Sequence, residues 1–386
     1  MKDFWLGLII FCSAYFIRYI FTFYSGLPFM STDTYDYINM AKGIISSNPI
    51  SYFPNGYPII ISFFLNLFEE NNAIELLRHL NVILSSLIVL IIFLIGKKLS
   101  IKLAILSSIL IIFWPNQLNY TRQLLSEVPA TFFLVSGIYL FTCKNSYSIF
   151  FSGIMIAIAS IIRSTILPVG IVLIIYSLII ELKNKIDISI SVNKTFLLSI
   201  GFISIFIIEF VLINKGFLAS SSNLDPNLTL SVHGYHLSGY LDPKKYYLYF
   251  MFSEPIDFFI LRLSSFWELW GPWPNDAEGI RGMFSRIIIG LRFPLLILAI
   301  LGFIISFRDE QLTSERKNIF NLLIMPVIFI SLVYVMFFST PRFSFCMEPF
   351  VILLSSNTLY RIYKFIYQKK IINNFINLFI LSYLDF

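Results

Sequence analysis

The sequence predicts an all-α polytopic membrane protein, a bundle of about ten (roughly 8–12) transmembrane helices. Of its 386 residues, 57% are hydrophobic and only 13% are charged, and the mean hydropathy is +0.80. A soluble protein needs roughly a quarter of its residues charged to cover its surface. This chain has about half that share, so most of its surface is expected to face lipid. Apolar runs of spanning length or slightly less lie near 4–24, 79–96, 101–115, 124–142, 148–165, 166–181, 195–213, 284–306, 319–339 and 343–360, with a weaker one at 371–385.

The basic residues predict the orientation of these runs. If the runs alternate in direction, fifteen of the 28 Lys and Arg residues fall in short segments on one side of the membrane. The positive-inside rule makes that side cytoplasmic, with the N-terminus on it. We expect the protein in the plasma (inner) membrane. These fifteen residues are Lys2, Lys97, Lys98, Lys102, Lys144, Lys183, Lys185, Lys194, Arg308, Arg316, Lys317, Arg361, Lys364, Lys369 and Lys370.

The opposite side receives the two longest extramembrane segments, 25–78 and 214–283, which hold much of the polar content. We therefore expect three parts: an N-terminal transmembrane module (1–213) with its first outer loop at 25–78, an outer-face loop region (214–283), and C-terminal transmembrane helices (284–386). The net charge of +6 does not indicate nucleic-acid binding, because no basic patch is interleaved with aromatic residues in a polar domain. The odd count of three cysteines excludes a disulfide framework.

The first outer loop carries the first candidate site residues. Asp33, Asp36 and Tyr37 share one face if the segment is helical. Two carboxylates on one face are typical of a general base with an orienting partner, or of oxygen ligands for a hard cation. The same pair is also compatible with an ordinary solvated loop.

Ionisable residues at the outer ends of later spans form a second group. Arg122 and Glu127 lie at the apolar boundary, where a charge is costly unless it is paired or used. Glu127 also suits a helix N-terminus, where the dipole favours an acid. Arg342 lies in a short outer turn, against the positive-inside trend. It could reach lipid headgroups, or its planar fork of donors could bind a phosphate.

These segments together resemble one family. Asp33-Thr-Tyr-Asp-Tyr37 up to Ala41, followed by Asn55-Gly-Tyr-Pro58, resembles the first outer loop of membrane-embedded GT-C glycosyltransferases, among them aminoarabinose transferases and protein O-mannosyltransferases. Leu80-Asn81, Leu125-Ser-Glu-Val-Pro129, and Arg342-Phe ahead of Glu348-Pro349 are similar to later landmarks in the same order. The resemblance covers about residues 4–170 well and 284–360 loosely, while 214–283 matches no landmark.

The resemblance implies a GT-C-like bundle with amphipathic outer-face helices in the first outer loop. It also implies an inverting glycosyltransferase that moves a hexosyl or pentosyl group from a polyprenyl-phosphate donor to a cell-envelope lipid, glycan or protein. Asp33 and Glu127 would be catalytic, Asp36 and Tyr37 would orient the acceptor, and Arg342 with Arg122 would hold the donor phosphate. No Gly-rich phosphate loop indicates a nucleotide-sugar site.

One departure from the family pattern concerns a metal. Thr34 stands where the family usually has an acidic partner of the Asp, so no cofactor is certain. A divalent cation held by Asp33 and Asp36 remains an option. His233 and His236 form a second close pair of candidate ligands but lack an acidic neighbour in register.

Two other classes of protein remain open. A polysaccharide polymerase or ligase acting on lipid-linked chains predicts essential arginines in a large outer loop and a dispensable Asp33. A flippase or transporter of lipid-linked sugars predicts charged residues near span midplanes and internal repeats. Arg18 and Glu209 lie within spans, but most ionisable residues lie at span ends and no repeat is visible.

Overall fold

The part of the chain that the structure describes folds almost entirely into helices. The structure, a computed structural model, describes residues 2–26, 29–143, 145–183, 188–220, 231–232, 235–236, 251–271, 290–337 and 339–368. The helices in chain order are α1 Lys2–Tyr24, α2 Thr32–Ile45, α3 Gly56–Leu67, α4 Glu70–Leu99, α5 Ile101–Ile112, α6 Pro115–Thr121, α7 Glu127–Phe141, α8 Ser146–Ile162, α9 Leu167–Lys183, α10 Ile188–Asn214, α11 Pro255–Trp270, α12 Arg292–Arg308, α13 Ser314–Met336 and α14 Glu348–Gln368. Short 3₁₀ turns cover Ser164–Ile166 and Pro341–Ser344, and Ser231–Val232 pairs antiparallel with Tyr235–His236.

Five helices in the described ranges are long and apolar enough to cross a membrane, and the bent pair α5–α6 would make a sixth. The spans are Asp3–Tyr24, Glu70–Leu99, Ser164–Leu182, Lys194–Asn214 and Ser314–Met336. Several apolar helices of this length indicate a membrane protein. The predicted count of about ten is not confirmed. Helices α7 and α8, counted as spans from the sequence, have 15 and 17 residues. At 1.5 Å per residue they reach only about 22–26 Å, less than the ~30 Å hydrocarbon core.

Segment 25–78, predicted to be the first outer loop, contains two helices, α2 and α3. Ser31 and Thr34 close a capping box at the start of α2. At the start of α3, any side chain at Gly56 would collide with the backbone of Ile162 at the end of α8. Asn55 donates from Nδ2 to Glu209 Oε1 of α10 at 3.1 Å. The loop is therefore held against the bundle from the α8–α10 side.

Helix α6 departs from α5 by 55° at Pro115. Proline has no N–H to donate to the carbonyl one turn back, that of Ile111, so the helix loses one hydrogen bond. Arg18 of α1, fully buried, donates from Nη2 to Ile111 O at 3.3 Å and from Nε to Ser85 Oγ at 2.7 Å. This bend directs α6 away from the α5 axis.

The expected outer-face region 214–283 is described only in part. It contains α11 and the two-residue strands, and its boundaries stay predictions. The side chains of His233 and His236, and the weak apolar run at 371–385, lie outside the described residues.

Candidate active site

Three segments distant in sequence bring Asp33, Glu127 and Arg342 together. Asp33 lies in the first turn of α2, Glu127 begins α7, and Arg342 lies in the Pro341–Ser344 turn. Arg342 Nη1 is 2.5 Å from Asp33 Oδ2, and its Nε donates to Glu127 Oε1. One guanidinium thus bridges two carboxylates, and each of the three was a candidate from the sequence.

Arg163 extends this contact and was not among the sequence candidates. It follows the last residue of α8, and its Nη1 is 3.1 Å from Glu127 Oε1. Its Nε donates to Tyr334 Oη at 2.6 Å, and its guanidinium carbon lies 5.0 Å from the centre of the Phe343 ring. Asp33, Arg342, Glu127 and Arg163 form a row of alternating charge, the charged row, whose formal charges cancel.

Exposure is lowest at Glu127 in the middle of the charged row and highest at its Asp33 end. The Glu127 side chain is 1% exposed and that of Arg163 11%, whereas Arg342 is 23% and Asp33 33% exposed. Asp33 is therefore the end of the row that a ligand can reach. Glu127 is too buried for direct contact with a ligand, so its effect on a ligand would pass through Arg342.

Arg342 remains a cation in this setting. Burial acts to lower its pKa, but the charge and the hydrogen bond of Glu127 outweigh burial, and the pKa lies above its ordinary value. Its Nη2 takes no partner within the described residues. A charged donor at the accessible end of the row is suited to an anionic ligand.

A second polar cluster fixes the turn that carries Arg342. Glu348 is fully buried at the start of α14 and accepts from Ser344 at 3.0 Å, from Asn116 at 2.5 Å and from Gln117 at 3.1 Å. Arg292 donates from Nη1 to the Pro341 carbonyl at 2.7 Å. The bent helix α6 and the first residues of α12 and α14 therefore hold the turn from three directions.

Tyr37 is connected to the charged row through Ser126. It is buried, and its hydroxyl donates to Ser126 Oγ at 3.0 Å. The same Ser126 oxygen accepts from Arg163 Nη1 at 3.3 Å. Burial and the nearby Glu127 carboxylate raise the pKa of Tyr37 to about 12, so the phenol keeps its proton. Its expected action on an acceptor stays a prediction, because the hydroxyl is already used by Ser126.

The remaining candidates, Asp36 and Arg122, lie outside the row. Asp36 is partly buried one turn beyond Asp33 and forms no ion pair with a described residue. Arg122 is buried and binds Asn119 Oδ1 through Nε at 3.1 Å and Nη2 at 2.8 Å. Its Nη1 is buried without a hydrogen-bond partner in the described part of the chain. Arg122 is therefore a second cation with donor capacity left.

The residues near Asp33 form contacts within the protein, and a cation held by Asp33 and Asp36 stays a prediction. Thr34, at the position of the family's second acid, is fully buried, and its hydroxyl bonds the Leu124 carbonyl at 3.2 Å. Asp33 Oδ2 is already paired with Arg342. Across the described ranges, no group of three or more His, Cys, Asp or Glu side chains could hold an ion. The side chain at position 34 thus ties α2 to the segment before α7 instead of providing a ligand.

The sequence carried a signal for Arg163. If the runs alternate in direction, Arg163 lies near the outer end of the run 148–165, where a basic residue opposes the positive-inside trend. The same argument selected Arg342. Arg163 lies inside the apolar run 148–165, where hydropathy alone does not distinguish it.

Comparison with known proteins shows the fold. No family model and no curated protein matches this chain. The archaeal oligosaccharyltransferase AglB from Archaeoglobus fulgidus, in complex with an inhibitory peptide and a dolichol-phosphate, is similar in structure at a TM-score of 0.55 and 14% identity, over 97% of this chain and 52% of that one. AglB has the GT-C fold. This fold is GT-C-like.

A second structure agrees with this fold assignment. The Archaeoglobus fulgidus oligosaccharyltransferase tethered with an acceptor peptide containing the NVT sequon matches at a TM-score of 0.56 and 14% identity, over 96% of this chain and 51% of that one. The chain spans about half the length of these structures. The expected GT-C-like architecture is confirmed at the level of fold.

Proposed function

We propose that this protein is a membrane glycosyltransferase that moves a sugar from a polyprenyl-phosphate donor to a cell-envelope acceptor. The observation that carries the proposal is the charged row, in which the cation of Arg342 and the carboxylate of Asp33 lie side by side at the accessible end. Glycosyl transfer from a lipid phosphate needs both groups: a cation for the leaving phosphate and a base for the acceptor. The GT-C-like fold supports it, since AglB was solved with a dolichol-phosphate and a peptide.

Arg342 would hold the donor phosphate. Two of its nitrogens are bound to carboxylates, and Nη2 is left to donate to a phosphate oxygen. Arg122 would be the second cation, because its Nη1 has no partner among the described residues. Negative charge develops on the phosphate as the sugar leaves, and guanidinium donors fixed in advance stabilise it without reorganisation.

Asp33 would act on the acceptor. The acceptor oxygen attacks the anomeric carbon while the bond from that carbon to the phosphate oxygen breaks. The hydroxyl proton passes to the Asp33 carboxylate, and the phosphate leaves with the bonding electron pair. Attack opposite to the leaving phosphate would invert the anomeric carbon. Glu127 would hold Arg342 in place for both partners, and Asp36 would contact the acceptor beside Asp33.

The proposed membrane topology depends on which helices cross. The bent pair α5–α6 and helices α7, α8, α12 and α14 would cross together with the five long spans, giving about ten spans. The positive-inside rule then puts the N-terminus in the cytoplasm and the charged row on the extracytoplasmic face. The sugar would be a hexose or a pentose, and the acceptor would be a lipid, a glycan or a protein.

Transfer by the purified protein in lipid nanodiscs tests the proposal. Mass spectrometry of cell-surface glycans and lipids with and without the gene identifies the sugar. We then expect sugar transfer from the polyprenyl-phosphate form, with release of polyprenyl phosphate, and none from the nucleotide-activated form. Extension of lipid-linked chains would favour the polymerase alternative. Movement of the donor between leaflets without bond cleavage would favour the flippase.

A further inference from the structure

Helix α11, Pro255–Trp270, lies at the end of a membrane span. Its inward side buries Phe258, Arg262 and Leu269. Arg262 Nη1 donates to the carbonyls of Val335 at 3.0 Å and of Met336, the last residues of the spanning helix α13. Because a span ends where the hydrocarbon ends, these bonds place α11 at the level of a membrane surface.

The outward side of α11 is divided into an apolar and a polar sector. Ile256, Phe259, Ile260 and Leu263 are 74%, 62%, 56% and 54% exposed and follow the spacing i, i+3, i+4, i+7 of one helix face. Asp257, Ser264 and Glu268 lie on a neighbouring face. One side of α11 therefore packs against the protein, a second side is apolar and exposed, and a third side is polar.

The apolar sector of α11 is better suited to contact with lipid than with water, and the helix as a whole is not suited to crossing the bilayer. Four large apolar side chains in a row are unfavourable in water. Unlike the apolar helices proposed to cross, this 16-residue helix has a polar sector along its length, which a span in lipid would leave without water. A helix of this kind lies in the membrane interface, with its apolar face among the acyl chains and its polar face in water.

Helix α11 is also linked to the Arg342 turn. Arg292 Nη1 donates both to the Leu269 carbonyl of α11, at 3.0 Å, and to the Pro341 carbonyl of the turn, at 2.7 Å. We infer that α11 lies in the plane of the bilayer interface and, through Arg292, holds Arg342 at the depth of the lipid headgroups. The consequence for the donor, whose phosphate would meet Arg342 at that depth, rests on the proposed function.

Spin labels on the full-length protein in nanodiscs test the inference without a sugar-transfer assay. The background carries Cys12→Ala and Cys143→Ala, and the buried Cys346 is kept. Single cysteines at Ile260 and Leu263 are compared with cysteines at Asp257 and Ser264 by collision with oxygen, which concentrates in lipid, and with a water-soluble nickel chelate. Ile203 on the spanning helix α10 is the lipid reference, and the exposed Glu310 is the water reference.

We expect labels at 260 and 263 to favour oxygen and labels at 257 and 264 to favour nickel, with 260 shallower than 203. Nickel access at all four positions would overturn the inference by placing α11 in water. Protection of 260 and 263 from both reagents would overturn it in favour of a protein partner on that face. A depth equal to that of 203 would put the helix inside the bilayer. A transferase assay that fails does not alter any of these readings.

Discussion

Arg342 and Arg18 are both arginines of the bundle, but their surroundings differ. Arg342 contacts two carboxylates, and 23% of its side chain is exposed. Arg18 is fully buried, and its hydrogen bonds within the described residues go to the neutral Ser85 and Ile111, with Nη1 left unpartnered. Arg18 contacts the backbone beside the bend at Pro115, whereas Arg342 lies between two carboxylates near the accessible end of the charged row. A buried charge by itself is therefore a poor marker of the site, and alternating charge with access is a better one.

The largest effect is expected at Asp33, the accessible end of the charged row. Asp33→Asn keeps the shape of the side chain but cannot accept the acceptor proton, and removal of a general base costs roughly 10²–10⁴-fold in rate. We expect at least about a hundredfold loss of transfer with normal insertion. Asp36→Asn is the matched control and should lose much less. Equal losses in the two variants would contradict a base role specific to Asp33.

The next effect concerns Glu127, the buried carboxylate shared by two arginines. Glu127→Gln leaves Arg163 and Arg342 facing a neutral amide, and breaking a buried pair costs about 3–5 kcal/mol. We expect a lower unfolding midpoint, partly restored by adding Arg163→Gln, because the double variant removes one unpaired cation. Glu70→Gln, in the exposed pair with Lys42, should change stability by less than about 1 kcal/mol. Additive changes for Glu127 and Arg163 would show that the two are not coupled.

The substitution Arg342→Lys separates the charge of Arg342 from the geometry of its guanidinium group. Lysine keeps the charge but loses the fork that bridges Asp33 and Glu127 and binds phosphate. Loss of one charge-assisted hydrogen bond, about 1.5–3 kcal/mol, predicts roughly a 10- to 100-fold loss of transfer at limiting donor. Arg361→Lys, at the Asp309 pair, is the control and should retain transfer. Full activity in Arg342→Lys would instead indicate an arginine that only reaches lipid headgroups.

The smallest effect is expected at Arg18. Arg18→Met removes a buried cation that has no carboxylate partner among the described residues, so no opposite charge is left unpaired. Transfer should stay within about threefold of the unmodified protein, since the bend at Pro115 is set by proline itself. A loss as large as that of Asp33→Asn would place Arg18 in the catalytic machinery and remove the contrast.

The sequence predicted three members of the charged row and missed Arg163, the member at its buried end. Asp33 was predicted from its pairing with Asp36 on one helix face, Glu127 from its place at an apolar boundary, and Arg342 from a basic residue in an outer turn; their order resembles one family. The argument that selected Arg342 also applies to Arg163, but Arg163 lies inside an apolar run, so hydropathy concealed it. The buried orientation of Thr34 depends on a contact with Leu124, 90 residues away, which no local pattern carries.

The number of spans stays a prediction, because hydropathy and helix length do not give the same answer. Hydropathy measures how apolar a segment is, but protein packing also buries apolar helices that are too short to cross unaided. Glu127, Val128 and Ala130 are almost fully buried in the first turn of α7, so neighbouring helices and not lipid surround it there. Apolar content predicted the helix class correctly, and helix length limits which of these helices cross unaided.

Donor binding measured separately from transfer tests the central claim most directly. That claim is a division of roles within one row, with Arg342 for the donor phosphate and Asp33 for the acceptor. Native mass spectrometry of polyprenyl phosphate binding to the unmodified protein, Arg342→Lys, Asp33→Asn and Arg361→Lys makes the comparison. We predict weakened binding in Arg342→Lys alone, with Asp33→Asn binding normally while failing to transfer. Normal binding in Arg342→Lys, or lost binding in Asp33→Asn, would contradict the account.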